Sequence, residues 1–289
     1  MSYSRSQLTF AVALILCSAT LVYSQNPATC TFNLFQAPGL INGVNDFRTT
    51  VGQRSSIPQQ GFIRYSGGGV FYFTAPNAAF TSFMARNDGG VSVGSYSSQA
   101  SSTMARGFIL QGLTTFTSFT HPKSVLGTRF TGINKYNSIV GWYLDSAEIA
   151  HGFKRFSNGG LATLDFPGAS QGTTPVGIND YGTVAGSFSD STGGQHGFIY
   201  HTGTWAKVDF PNSNGQTQLV GISNNNVVVG FSTLQEPYVS FIYANGVFKT
   251  ISAPNTFNTI VTGVSANGII SGNVVFNAGG SSAFTATCK

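Results

Sequence analysis

Short segments in which apolar and polar residues alternate run along most of the chain and predict β-strands. A stretch of about 45 residues shows the pattern: residues 128–134, 139–144, 151–156 and 161–166 have strand character, with turns between them. In the segment Trp205–Phe210, apolar and polar residues alternate, as expected for an outer strand with one face exposed to water. The chain is therefore predicted to be all-β, with short strands and tight turns.

This four-strand pattern recurs six times, in copies that start near residues 43, 85, 132, 177, 221 and 263. Each copy carries a Gly, a Phe and a Pro at corresponding positions. These are Gly52, Gly94, Gly141, Gly186, Gly230 and Gly272; Phe62, Phe108, Phe153, Phe198, Phe241 and Phe284; and Pro38, Pro76, Pro122, Pro167, Pro211 and Pro254. Four short strands in such a repeat are typical of a propeller blade. Residues 25–289 are therefore predicted to form a single six-bladed β-propeller domain with four strands per blade.

The two ends of the repeat array are complementary. The sixth copy stops after its third strand, whereas the chain begins with an unpartnered fourth strand, Phe32–Pro38. We therefore expect the N-terminal strand to complete the last blade and close the ring. In an overlay on the fifth copy, Cys288 and Cys30 fall on Asn245 and Gly246, a hairpin turn that the split blade lacks. A Cys30–Cys288 disulfide is the resulting prediction, with two free thiols as the alternative.

The steps His151-Gly-Phe and His196-Gly-Phe-Ile-Tyr, together with the motif from Gly177 to Gly186, resemble the bacterial extracellular HAF-repeat family. The resemblance covers nearly the whole chain after residue 24. Gln60, Arg106, Val239 and Ser282 replace the His in the other copies. The resemblance implies export and repeated β units, and it assigns no chemistry to any residue.

The first 24 residues have the pattern of a secretory signal peptide. Arg5 precedes an apolar stretch from Leu8 to Val22, and cleavage is predicted after Ser24. No later segment has the pattern of a membrane span. We therefore expect a secreted, extracellular or periplasmic protein without a membrane span in its mature chain, and a monomer.

Composition narrows both the structural class of the protein and the class of its partner. Charged residues make up 8% of the chain, aromatic residues 13%, and the net charge is +5. The aromatic content excludes a disordered polar chain, and the low charge excludes a coiled coil. The same count argues against nucleic acid as a partner, because tracking phosphates needs clustered Lys and Arg.

The nine carboxylates are few enough to sort completely. Asp46, Asp88 and Asp180 lie in predicted hairpin turns, and Asp165 and Asp209 share one position before a Phe-Pro step, so these five are interpreted as scaffold. The other four carboxylates lie in the loops between the second and third strands of the third, fourth and fifth copies. His151 ends the loop that contains Asp145, and His196 ends the loop that contains Asp190. The predicted ligand-binding residues are Asp145, Glu148, His151, Asp190, His196 and Glu236, on the face that also carries His121 and Lys123.

Structural roles for the same residues remain open. Asp145 and Asp190 are also placed to start loop turns, and His151 and His196 to form hydrogen bonds at strand starts. Two His residues alone do not make a metal site, so no metal and no cofactor is predicted.

No catalytic motif is found in the chain. The predicted function is therefore a non-catalytic binding or scaffold module that recognises a glycan or an extracellular protein. The alternative is a glycan-active hydrolase or lyase that uses the loop carboxylates, which would need a close pair with separated pKa values. A purely structural protein, the third reading, should lack a ligand-sized pocket on either face.

Overall fold

The structure, a computed structural model, describes residues 27–56, 58–99 and 104–289. The predicted signal peptide lies outside these residues. The described residues form 24 β-strands and no helix, so the all-β prediction is confirmed. Consequently, none of the described segments is a helix long and apolar enough to cross a membrane.

Antiparallel pairing groups the strands by repeat copy. The first copy contains β2 (Leu40–Val44), β3 (Thr50–Arg54), β4 (Gln60–Arg64) and β5 (Val70–Phe73). The second contains β6 (Phe80–Arg86), β7 (Val91–Ser97), β8 (Arg106–Gln111) and β9 (Thr115–Phe119). The third contains β10 (Gly127–Ile133), β11 (Ile139–Leu144), β12 (Ala150–Arg155) and β13 (Leu161–Thr163).

The other three copies repeat this order. The fourth contains β14 (Gly172–Ile178), β15 (Val184–Ser189), β16 (Gln195–His201) and β17 (Thr204–Val208). The fifth contains β18 (Thr217–Ile222), β19 (Val228–Ser232), β20 (Val239–Ala244) and β21 (Val247–Ile251). The sixth contains β22 (Thr256–Val264), β23 (Ile270–Phe276) and β24 (Ser281–Cys288), and β1 (Cys30–Phe35) pairs with β24 as its fourth strand.

The sheets depart from the predicted six separate blades. Four copies form separate four-stranded sheets, whereas the third and fourth copies are joined in one eight-stranded sheet. The link is a single parallel pair between Ala150 and Gly172. Gly172 has a φ of +122°, and a Cβ there would lie 3.0 Å from the backbone N and O of Ala150, so glycine permits this approach.

The copies nevertheless surround a common axis in a propeller-like arrangement. Each first strand packs against the first strand of the next copy, and β22 packs against β2. Apolar core clusters lie between successive copies, including one between the sixth and the first, which contains Ile41, Phe62 and Ala283. All six repeated Phe side chains are fully buried in these layers.

The predicted disulfide is confirmed. Cys30 and Cys288 are bonded, face each other in the ladder between β1 and β24, and have Cα atoms 4.1 Å apart. The N-terminal strand therefore completes the last sheet by backbone pairing and by a covalent bond.

The antiparallel order gives the ring two distinct faces. Successive connections in an antiparallel sheet lie at opposite ends of the strands. The turns between the first and second strands of each copy therefore lie on one face, here called the turn face. The loops between second and third strands, and the connections between copies, lie on the opposite face, here called the loop face.

Candidate functional site

Two of the predicted residues in the third copy meet on the loop face. His151, in β12, lies between two carboxylates: its Nδ1 is 2.9 Å from Oδ2 of Asp165 and its Nε2 is 3.3 Å from Oδ2 of Asp145. Oδ1 of Asp165 also accepts a hydrogen bond from the backbone N–H of Gly152 at 3.0 Å. The three side chains are each about one-third exposed.

The fourth copy repeats this arrangement. Nδ1 of His196 is 2.9 Å from Oδ2 of Asp209, and its Nε2 is 3.1 Å from Oδ2 of Asp190. Lys207 adds an ion pair to Asp209 at 3.0 Å. His196 is more buried than His151, with 10% of its side chain exposed. We call the two groups the Asp–His–Asp clusters.

The first carboxylate of each cluster also shapes its loop. Asp145 accepts hydrogen bonds from the N–H groups of Ala147 and Ile149, and Asp190 accepts the corresponding bonds from Thr192 and Gly194. The bond from the Ile149 N–H is the main cause that lowers the pKa of Asp145. The Thr192 hydroxyl, followed by His196, lowers the pKa of Asp190. The turn-forming role left open by the sequence is therefore real for both residues.

Stacked rings support each imidazole from behind. His121 and Tyr143 stack with centroids 4.1 Å apart, and Tyr143 lies 5.2 Å from His151. Burial lowers the pKa of His121, and the charges of Lys123 and His151 act in the same direction.

In the fourth copy Phe166 and Phe188 replace His121 and Tyr143. Their centroids are 3.8 Å apart, and Phe188 lies 5.2 Å from His196. Both clusters are therefore held against a rigid aromatic layer.

The structure does not unite all six predicted residues. Glu148 and Glu236 are exposed, and neither forms a hydrogen bond or an ion pair with a cluster in the described part of the chain. Asp165 and Asp209, interpreted from sequence as scaffold, are also members of the clusters. The signal was available in the repeats: the copies that carry the His also carry the Asp, whereas the first copy has Gln60 bonded to Thr74 at the same positions.

The clusters offer little for catalysis. Both nitrogens of each His are engaged by carboxylates, and the pKa values of Asp145 and Asp190 are lowered, the reverse of what a general acid requires. Among residues 27–56, 58–99 and 104–289, no group of three or more His, Cys, Asp or Glu side chains is arranged to hold a metal ion.

The turn face carries a second feature, which we call the turn belt. Hydrogen bonds join the turn of each copy to the next around the ring. Asn179 is typical: its Nδ2 donates to the Ser223 carbonyl in the next copy at 3.0 Å, while its Oδ1 accepts two N–H groups of its own turn. The turn residues that the sequence assigned to local conformation therefore also connect neighbouring copies.

A cavity of about 390 Å³ lies on the axis inside the turn belt. It is lined by the first strands of all six copies, with mainly apolar walls that include Ile133, Ile178 and Ile222. Asp46, Asp88, Lys135 and Asp180 belong to its lining at the turn-face rim. This volume lies in the range of ligand sites. A purely structural protein was expected to lack a ligand-sized pocket on either face, and this cavity does not meet that expectation.

Two of the rim carboxylates are adjacent. The Asp46 N–H donates to Oδ1 of Asp88 at 3.0 Å, and Oδ1 of Asp46 accepts the Asn267 N–H at 2.8 Å. Burial raises the pKa of Asp88, and the negative charge of Asp46 raises it further. Neither carboxylate forms an ion pair with a Lys or Arg side chain among the described residues.

No family model matches the chain, and no curated protein matches it. Solved structures share its fold. A catalytically inactive variant of virginiamycin B lyase from Staphylococcus aureus, with quinupristin, is 10% identical and superimposes with a TM-score of 0.53 over 89% of this chain and 99% of that one. A streptogramin B lyase is 11% identical, with a TM-score of 0.52 over 90% of this chain and 98% of that one.

A variant of AofleA from Arthrobotrys oligospora in which three arginines are replaced by alanine is 13% identical, with a TM-score of 0.52 over 91% of this chain and 88% of that one. At such identities the likeness to these structures concerns the fold alone.

Proposed function

We propose that the protein is an exported, non-catalytic binding module of the HAF-repeat type, built as a six-bladed propeller. In this proposal the third and fourth copies are two separate blades, although they share one eight-stranded sheet. Export is supported by the apolar segment after Arg5 and by the disulfide, since disulfides persist in oxidising compartments.

The observation that carries the binding role is the pair of Asp–His–Asp clusters on the loop face. Adjacent copies present the same partly exposed carboxylates, each pair bridged by an imidazole and held by backbone hydrogen bonds and aromatic stacks. Polar groups fixed on a rigid scaffold recognise a polar ligand at low entropic cost. Sugar hydroxyl groups can donate to the carboxylates, so a glycan is the ligand that we propose, with Glu148 and Glu236 at its margin.

Catalysis by these carboxylates is disfavoured by the electrostatics of the clusters. A glycosidase needs one carboxylic acid that remains protonated near neutral pH. The pKa values of Asp145 and Asp190 are lowered, and the carboxyl group with a raised pKa, Asp88, lies on the turn face. We therefore do not propose the hydrolase or lyase alternative.

A glycan and polysaccharide array with released reducing ends measured in the same wells tests the proposal. The test variant is His151→Gln with Asp165→Thr, which copies the Gln60–Thr74 pair of the first copy, combined with the same exchange at His196 and Asp209. We expect at least a ~10-fold loss of affinity, because a hydrogen bond to a charged group contributes about 1.5–3 kcal/mol.

The matched control is His201→Gln, an exchange of the same type away from the clusters, where His201 bonds the Thr183 hydroxyl. It should bind as the parent chain does. Unchanged binding in the test variant would remove the site from the loop face, and release of reducing ends would establish an enzyme. If the parent chain neither bound a glycan nor released reducing ends, the glycan proposal would be wrong and a protein partner would be favoured.

A further inference from the structure

The central cavity combines apolar walls with a charged rim, and the rim is electrically uneven. Lys135 pairs with Asp180, its Nζ lying 3.4 Å from Oδ2, so these two charges neutralise each other. Asp46 and Asp88 share no ion pair with a Lys or Arg in the described part of the chain. Arg86, nearby in the lining, bonds its own hairpin at the Gly90 carbonyl and Ser92 hydroxyl instead.

The turns next to the rim expose aromatic rings at one repeated position. Phe47, Tyr136 and Tyr181 each follow the rim residue of their copy and are 65%, 58% and 71% exposed. Aromatic faces attract ammonium groups.

The chain already holds one ammonium group at this rim. Nζ of Lys135 lies between the Asp180 carboxylate and the Tyr136 ring, 5.0 Å from the ring centroid. The Lys135 N–H donates to Oδ1 of Asp180 at 3.0 Å, which fixes the two turns relative to each other.

The first and second copies repeat this frame without the ammonium. The Asp46 N–H donates to Oδ1 of Asp88 at the same 3.0 Å distance, and Phe47 occupies the position of Tyr136. Asp46 stands where the third copy has Lys135. A carboxylate and an aromatic residue thus occupy the same turn positions, but Asp46 replaces the cation.

We propose that the central cavity binds an alkylammonium ion, with the charged head at Asp46, Asp88 and Phe47 and the alkyl chain along the apolar walls. The head takes the role that Lys135 has between Asp180 and Tyr136. It neutralises two adjacent carboxylates, while the chain covers the half-buried walls formed by residues such as Ile133 and Val220. This site lies on the turn face and does not depend on the glycan proposal.

Isothermal titration of the full chain with hexylammonium tests the proposal, with hexanol and hexanoate as probes of equal length. We expect hexylammonium to bind at least ~10-fold more tightly than either, because one favourable ionic contact of about 1.4 kcal/mol gives that ratio. Equal binding of hexanol, or no heat from hexylammonium at millimolar concentration, would overturn the proposal.

Two variants address the rim. Asp88→Asn keeps the acceptor for the Asp46 N–H but removes the charge, and it should weaken hexylammonium binding at least tenfold. Asp46→Lys places an internal ammonium at this turn, as in the third copy, and it should abolish binding; it also removes the acceptor of the Asn267 N–H. Parent-like affinity in both variants would contradict the site.

The control is the loop-face variant with both His→Gln and Asp→Thr exchanges. It should bind hexylammonium as the parent chain does. Because that variant is designed to lose glycan binding, the failure of one proposal is distinguishable from the failure of the other.

Discussion

At the scale of single residues, the repeated Gly and Phe are two halves of one contact. Each repeat Gly pairs with the repeat Phe on the third strand, as Gly141 pairs with Phe153. On its other side it faces a β-bulge in the first strand, between Phe130 and Gly132 in the third copy. A Cβ on Gly141 would lie 2.1 Å from the Arg129 carbonyl oxygen, so no larger residue fits.

The variant Gly141→Ala should therefore be strongly destabilised. Overpacking of a tightly packed site costs about 1–3 kcal/mol, and here the obstacle is backbone that cannot rotate away, so we expect at least the upper part of that range. Urea unfolding measures the loss. The matched control is Gly67→Ala, because a Cβ at Gly67 meets nothing within 4 Å. Equal midpoints for the two variants would contradict this account.

The Asp–His–Asp cluster of the third copy predicts a pH-dependent contribution to stability. Burial acts to lower the pKa of His151, but the hydrogen bonds to Asp165 and Asp145 outweigh it and raise the pKa above 6.5. The contribution of a His with a raised pKa is fully present below the unfolded value and is lost as pH rises through the folded value. Because the pKa of Asp145 is lowered from 3.8, its contribution is lost as pH falls through its folded value.

The cluster should therefore stabilise the fold most between the titration of Asp145 and that of His151. Relative to the parent chain, His151→Gln with Asp165→Thr should lose most stability at about pH 5.5 and progressively less above neutrality. Urea unfolding across this pH range measures the difference, and NMR titration of His151 gives its pKa directly. A difference that stays constant with pH would show that the charge of His151 contributes nothing.

At the scale of elements, the strand pattern was readable because each strand depends on local alternation. Residues 139–144 were predicted as a strand and form β11 with the same bounds. The predicted strand at 161–166 is shorter, ending at Thr163. The Asp165 carboxylate accepts the Gly152 N–H, and so a side chain replaces the ladder at this point.

The candidate sites were only partly predictable for a related reason. Asp145 and His151 lie within one loop and its strand, so their proximity follows from sequence spacing. Asp165 joins them only through cross-strand pairing, and the turn belt connects residues of different copies, such as Asn179 and Ser223. The parallel pair of Ala150 and Gly172, which merges two sheets, likewise arises between copies. Contacts of this kind depend on how the copies are rotated about the axis, which no single repeat encodes.

At the scale of the whole molecule, ring closure depends on the junction between the two ends of the chain. β1 pairs with β24 along its full length, and the disulfide joins residues separated by 258 positions. The Lys289 N–H also donates to the Thr29 carbonyl at 3.0 Å, just beyond the bridge. Both the ladder and the bridge therefore act against opening of the sheet of the sixth copy.

Separating these two contributions gives the last prediction. Replacing Cys30 and Cys288 by Ser should lower the free energy of unfolding by up to roughly 5 kcal/mol, since cross-linking so long a loop restricts the unfolded chain. The variant should remain folded and monomeric, because the β1 ladder is retained.

A chain that begins at Gly39 lacks β1 and leaves the edge of β24 unpaired, a state that favours edge-to-edge association. Urea unfolding and light scattering after size exclusion measure the two effects. A truncated chain that is monomeric and as stable as the Ser variant would show that β1 does not close the ring.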